Sequence, residues 1–114
     1  MKYFLSLVIC FCFLSSSLLQ SQTISHAKTE TFKVWGNCNM CKKNIETAVN
    51  EPGVVDAVWN KSAKFITVTF DSTKITTLII HKKISDAGYD TSESTADDKV
   101  YSNLKKCCRY ERKK

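Results

Sequence analysis

Thr31-Phe32-Lys33-Val34-Trp35-Gly36-Asn37-Cys38-Asn39-Met40-Cys41-Lys42-Lys43-Asn44-Ile45 joins an alternating run to a helical one, with two cysteines three positions apart at the join. Phe32 and Val34 fall on one face of the first run, so residues 31–35 read as a half-buried strand. Gly36-Asn37 breaks it. From Cys41 the apolar residues Ile45, Ala48 and Val49 follow at spacings of 4, 7 and 8, one face of a helix that Pro52-Gly53 ends. A Cys-x-x-Cys in that place serves one of two chemistries. Both thiolates clamp a soft metal ion, or they cycle between dithiol and disulfide.

Working outward, Val54-Val55-Asp56-Ala57-Val58-Trp59 is rich in strand formers, and Lys61-Ser62 makes a turn. Phe65-Ile66-Thr67-Val68-Thr69-Phe70 then alternates with Ile66, Val68 and Phe70 inward, so the pair predicts an antiparallel hairpin. Asp71-Ser72-Thr73 offers N-cap residues for a second helix. That helix turns Ile80, Ile84 and Ala87 inward, with Ile75, Leu78 and Ile79 adding apolar area, and Gly88 stops it. Tyr89-Asp90-Thr91-Ser92 supplies a short fourth strand. The order strand, helix, strand, strand, helix, strand is the split-βαβ pattern: an α+β, ferredoxin-like βαββαβ sandwich over residues 29–92. Such a domain has a marginal core and leaves one sheet face to water.

The two ends of the 114-residue chain read differently. Lys2, the apolar run 3–14 and a serine-rich exit describe a secretory signal peptide over residues 1–21, with cleavage after Ser21 or, second, Ala27. The run is shorter than the roughly 20 residues of a spanning helix, so no stable membrane insertion is expected once it is cleaved. Residues 22–28 are a polar linker. Residues 93–114 form a basic extension in which residues 95–98 cap a short helix with Val100, Tyr101 and Leu104 inward. The formal charge is +6, or +5 without Lys2, and much of it sits in that tail. No recognition helix or aromatic-interleaved basic sheet accompanies it, which argues against nucleic acid.

Cleavage would remove Cys10 and Cys12 and leave Cys38, Cys41, Cys107 and Cys108. Cys38 lies in the loop and Cys41 in the first helical turn, with both sulfurs expected to face outward. There the helix dipole, free amides and the neighbouring Lys42 and Lys43 favour thiolate. Two thiolates satisfy Cu(I) or Hg(II), whereas Zn(II) wants four ligands. Met40, between the cysteines, reads as a partly exposed loop residue with a thioether near the ion.

Placed between strand one and helix one of this pattern, the motif resembles the heavy-metal-associated domain family of copper chaperones, transporter metal-binding modules and periplasmic mercury-binding proteins. The resemblance spans residues 29–92. It includes Cys38, Cys41, Pro52-Gly53-Val54, Thr67-Val68-Thr69-Phe70-Asp71 and Asp86-Ala87-Gly88-Tyr89. It implies that Tyr89 lies beside the metal loop and that the partner is a metal-transporting membrane protein or metallochaperone. The leader makes the periplasmic branch the nearest analogue in location. One departure stands out: where the family places a methionine under the loop, this chain has Gly36.

Cys107-Cys108 can reach the first pair, since about 18 residues of extended chain span roughly 60 Å against a domain radius of about 11 Å. They join the metal site, form disulfides, or stay as free tail thiols. His26 and His81 read as surface histidines, and Trp35 and Trp59 as packing residues. No catalytic triad, carboxylate pair or phosphate-cradling loop is present, so no enzyme is expected. The reading is an exported monomer that binds a soft metal ion, Cu(I) or Hg(II) ahead of Zn(II), and passes it on. The alternative is a thiol-disulfide protein of the same compartment.

Overall fold

The computed structural model describes residues 26–114; the expected signal peptide and the first part of the linker lie outside them. Strand β1 (Ala27–Lys33), helix α1 (Asn39–Ala48), strands β2 (Val54–Asn60) and β3 (Phe65–Asp71), and helix α2 (Thr77–Asp86) follow in the expected order. The sheet is antiparallel with β3 in the middle, order β1-β3-β2. β1 begins two residues before the boundary drawn at Thr29, because Ala27 and Lys28 pair with Asp71 and Phe70.

Alternation decides which face packs. Phe32 and Val34 of the first run and Ile66, Val68 and Phe70 of β3 are buried against Ile45, Val49, Ile80 and Ile84 of the helices. The opposite face carries Thr29–Thr69 and Thr31–Thr67 pairs, bonded side chain to side chain at 3.1 and 3.2 Å, and stays open to water. The hairpin turn is tied by Asn60 Oδ1, which accepts from the Ser62 and Ala63 amides.

Four expectations need correction. The α2 N-cap is Thr76, whose Oγ1 accepts from the Ile79 amide, because Asp71 is occupied in a turn with the Thr73 amide and hydroxyl. Leu78 and Ile79 consequently face outward. The fourth strand shrinks to one bridge, Val34 to Thr91, flanked by Trp35 N–H to Asp90 O and Ser92 N–H to Lys33 O. It goes no further because the Thr91 amide turns back to Ser94 O. In the tail, helix α3 (Asp98–Ser102) forms on an Asp97 cap, but Val100 is exposed and only Tyr101 and Leu104 pack.

His81 is the fourth. It is buried, stacked on Phe32 with ring centroids 3.7 Å apart, and its Nδ1 lies 2.6 Å from Thr91 Oγ1. That hydroxyl already accepts from the Glu93 and Ser94 amides, so it donates to Nδ1 and the imidazole is the neutral Nε2–H form. Burial holds its pKa below the ordinary value, against the opposing pull of Glu93 and Glu30. An unfolded histidine titrates near 6.5. The unfolded chain therefore binds the extra proton first as pH falls, and the stability His81 contributes is full above about 6.5 and lost below it. Urea midpoints should drop between about pH 7 and 5, and His81→Gln should flatten that slope; an equal slope in both proteins would contradict this assignment.

Candidate metal centre

Three chain segments converge at the start of α1. Cys38 is its N-cap: with extended backbone, its sulfur accepts from the Cys41 amide at 3.3 Å, the place a serine or aspartate oxygen usually takes. Cys41 sits in the first turn with its sulfur 3.1 Å from Cys38 Sγ, and its thiol donates to Asn37 Oδ1 at 3.1 Å. The third sulfur comes from the far end of the chain. Cys108 ends a tight helical turn (Lys106–Cys108), and its Sγ lies 3.7 Å from Cys38 Sγ. The sulfurs of Cys38, Cys41 and Cys108 all lie within 4.8 Å of one another. All four described cysteines are free thiols.

The sulfurs do not face outward as the sequence suggested. Cys41 and Cys108 are fully buried and Cys38 only partly exposed, because the tail lies across the loop. Two anchors hold it there. Tyr110 is buried, stacks on Tyr89 at 5.5 Å, donates its hydroxyl to Gly88 O and accepts from the Asp90 amide. Arg112 forks onto both oxygens of buried Asp90 at 2.9 and 3.0 Å and also reaches Ala96 O and Asp98. Burial would raise the Asp90 carboxyl, but the Arg112 guanidinium and the Ala96 amide hold it below the carboxylate range. The extension is thus part of the core.

Cys107 is separated from its neighbour by geometry. Consecutive residues of a 3-10 turn point roughly 120° apart, so Cys107 does not face the Cys38–Cys41 pair when Cys108 does. Cys108 turns in and Cys107 stays exposed, 3.8 Å from Cys108 Sγ and 4.0 Å from Met40 Sδ.

Lys42 also departs from expectation. Its ammonium is committed to Glu46 at 2.6 Å and Trp59 O at 2.9 Å and does not serve the thiols. Tyr89 lies where expected, buried beside the site, with its hydroxyl accepting from Asn44 Nδ2 at 2.9 Å. Burial pushes the Tyr89 hydroxyl well above its usual value, so it remains a donor that favours the Cys108 thiolate. Asn44, Asn37 and Asp90 were missed in the sequence. Asn44 had a signal, being one helical turn from Cys41 on the same face; Asp90 had none.

Gly36 explains the loop's support. A Cβ there would meet the Trp59 ring at 2.9 Å and Cys41 Cβ at 3.3 Å. The buried Trp59 indole, fixed by its Nε1–H to Val34 O at 3.0 Å, fills the space under the cysteines. The missing methionine is replaced by a larger side chain from β2.

Electrostatically the thiols divide. Burial tends to raise Cys38, but the close Cys41 and Cys108 sulfurs and the Cys41 amide hold it below the ordinary thiol value. Burial pushes Cys108 up to about 12, with the Tyr89 hydroxyl only partly offsetting it. Cys108 therefore keeps its proton until a bound ion displaces it.

Comparison with known proteins agrees with this geometry. Residues 31–90 match the heavy-metal-associated domain model, more than half of the chain. The chain belongs to that family, which is one of metal-binding domains and not of enzymes. Solved structures similar to it include the CopZ metallochaperone (32% identity, TM-score 0.54, covering 56% of this chain and 98% of that one). Oxidized MerP from Ralstonia metallidurans CH34 is 29% identical, with TM-score 0.55 and 58% and 94% coverage. A copper-binding domain of a P-type ATPase is 27% identical, with TM-score 0.54 and 56% and 89% coverage. No curated protein sequence matches. Residues 91–114, which carry Cys108, lie beyond the family match.

Proposed function

We propose that this protein is an exported carrier of a soft heavy-metal ion, held by Cys38, Cys41 and Cys108 and passed by ligand exchange to a metal-transporting membrane protein or metallochaperone. The observation that carries it is the sulfur triangle. A trigonal ion with bonds of about 2.3 Å to sulfur has sulfur–sulfur edges of about 4 Å. The edges here are 3.1 Å, 3.7 Å and one within 4.8 Å, so small side-chain shifts accommodate such an ion. A group of three soft donors among the described residues suits Cu(I) or Hg(II) better than Zn(II), which completes a tetrahedron.

Exchange needs no bond broken in a substrate. A partner thiolate adds to the ion at the partly exposed Cys38 side, one protein sulfur leaves, and the coordination number returns to three. A metallochaperone and a copper-binding domain of a P-type ATPase among the similar structures support the soft-metal class and the kind of partner. The leader-like N-terminus supports export, and a monomer suffices because all three sulfurs come from one chain.

A thiol-disulfide role is the second reading, favoured by the 3.1 Å approach of Cys38 and Cys41. One titration separates the two. Reduced, metal-free protein is titrated with Cu(I), Hg(II) and Zn(II) against competing chelators, and unprotected thiols are alkylated and located by mass spectrometry. The first equivalent of Cu(I) or Hg(II) should protect Cys38, Cys41 and Cys108, with Zn(II) weaker. Absence of tight binding, together with a reversible Cys38–Cys41 disulfide, would transfer the protein to the redox reading.

A further inference from the structure

Beside the buried triangle, a second group of soft donors reaches the surface. Cys107 Sγ lies 3.8 Å from Cys108 Sγ and 4.0 Å from Met40 Sδ. Both separations match the roughly 4 Å sulfur–sulfur edge of a three-coordinate ion. Cys107 and Met40 are exposed, and Met40 lies in the first turn of α1, where an apolar side chain gains nothing from water. Their meeting is imposed by the docked tail: the Tyr110 and Arg112 anchors fix the turn that carries Cys107 over Met40.

We propose that Cys107 and Met40, sharing Cys108 as a bridging thiolate, hold a second soft monovalent ion of the Cu(I) or Ag(I) class. This deepens the carrier reading and rests on it. A thiolate sulfur has lone pairs enough to bridge two ions, and a neutral thioether is a soft donor that suits Cu(I). Taken together, Cys41, Cys38, Cys108, Cys107 and Met40 form a continuous file of sulfurs from the core to solvent. On binding, each thiol loses its proton to solvent and no oxidant is required. Four thiolates around two monovalent ions leave a net negative charge, and Lys105, Lys106 and Arg109 flank that turn in the sequence. The outer ion would be the one a partner meets first, and the inner ion the one retained.

The test uses the reduced full chain and Ag(I) alone, which cannot be oxidised further under these conditions. Native mass spectrometry gives the number of ions bound. Alkylation of Cys107 and peroxide oxidation of Met40 report the outer donors. Wild-type protein should take two ions, the second slowing both reactions. Cys107→Ser and Met40→Leu should each stop at one ion while leaving the first as tightly held. A wild-type limit of one ion, or a second ion retained by Met40→Leu, would overturn the proposal and leave the carrier reading standing. Failure to bind even the first ion would remove that reading as well.

Discussion

Replacing Cys41 by serine is expected to weaken Cu(I) binding by roughly 100- to 1,000-fold while leaving the protein folded. Four-ligand structural sites bind with about 10–16 kcal/mol, or about 2.5–4 kcal/mol for each ligand lost, and each 1.4 kcal/mol is tenfold. Cys41 is fully buried at the junction of Gly36, Trp59 and the helix start, so water cannot readily take its place at the ion. A serine oxygen is also a harder, shorter donor. The fold should survive because Asn37 Oδ1, which accepts from the Cys41 thiol at 3.1 Å, accepts equally well from a hydroxyl. Competition titration of the variant checks this; unchanged affinity would remove Cys41 from the site. Cys107→Ser should leave the first ion untouched.

Tyr110→Ala should have the largest effect on stability, about 4 kcal/mol, in the range for emptying a buried aromatic position. At about 4–8 °C per kcal/mol for a domain of this size, Tm should fall by roughly 15–30 °C. The side chain is 2% exposed, lies between Tyr89 and Tyr101, and its hydroxyl serves both Gly88 O and the Asp90 amide. Tyr110→Phe should cost less, because the rings still pack and only those two backbone groups lose their partner. Metal affinity should fall in the alanine variant as well, since the turn that presents Cys108 loses its anchor. Thermal melts of the two variants beside wild type decide it. An unaltered melt in Tyr110→Ala would show that the tail does not pack on the domain.

Much of this protein is written in short-range pattern. The alternation at Phe32-Val34 and Ile66-Val68-Phe70 and the helical spacing of Ile45 and Val49 place the sheet and α1, because a strand or helix with one apolar face has one way to bury it. The Cys38–Cys41 pair is equally local, since three positions at a helix start bring two sulfurs together whatever surrounds them. His81 shows the limit. Its neighbours Lys82 and Lys83 mark a solvated face, yet α2 packs it on Phe32 of β1 and the loop after α2 brings Thr91 to its Nδ1.

What tertiary structure alone decided is the third sulfur of the cluster. Nothing near Cys107-Cys108 in the sequence says which sulfur turns inward. The choice follows from Tyr110 finding Tyr89 and Arg112 finding Asp90, partners some twenty positions away, and these set the rotation of the intervening turn. Sequence by itself determined a ferredoxin-like domain with a Cys-x-x-Cys pair at the start of α1. Long-range packing closed that pair with a tail sulfur, because only a folded core brings residues 38, 41 and 108 to one place.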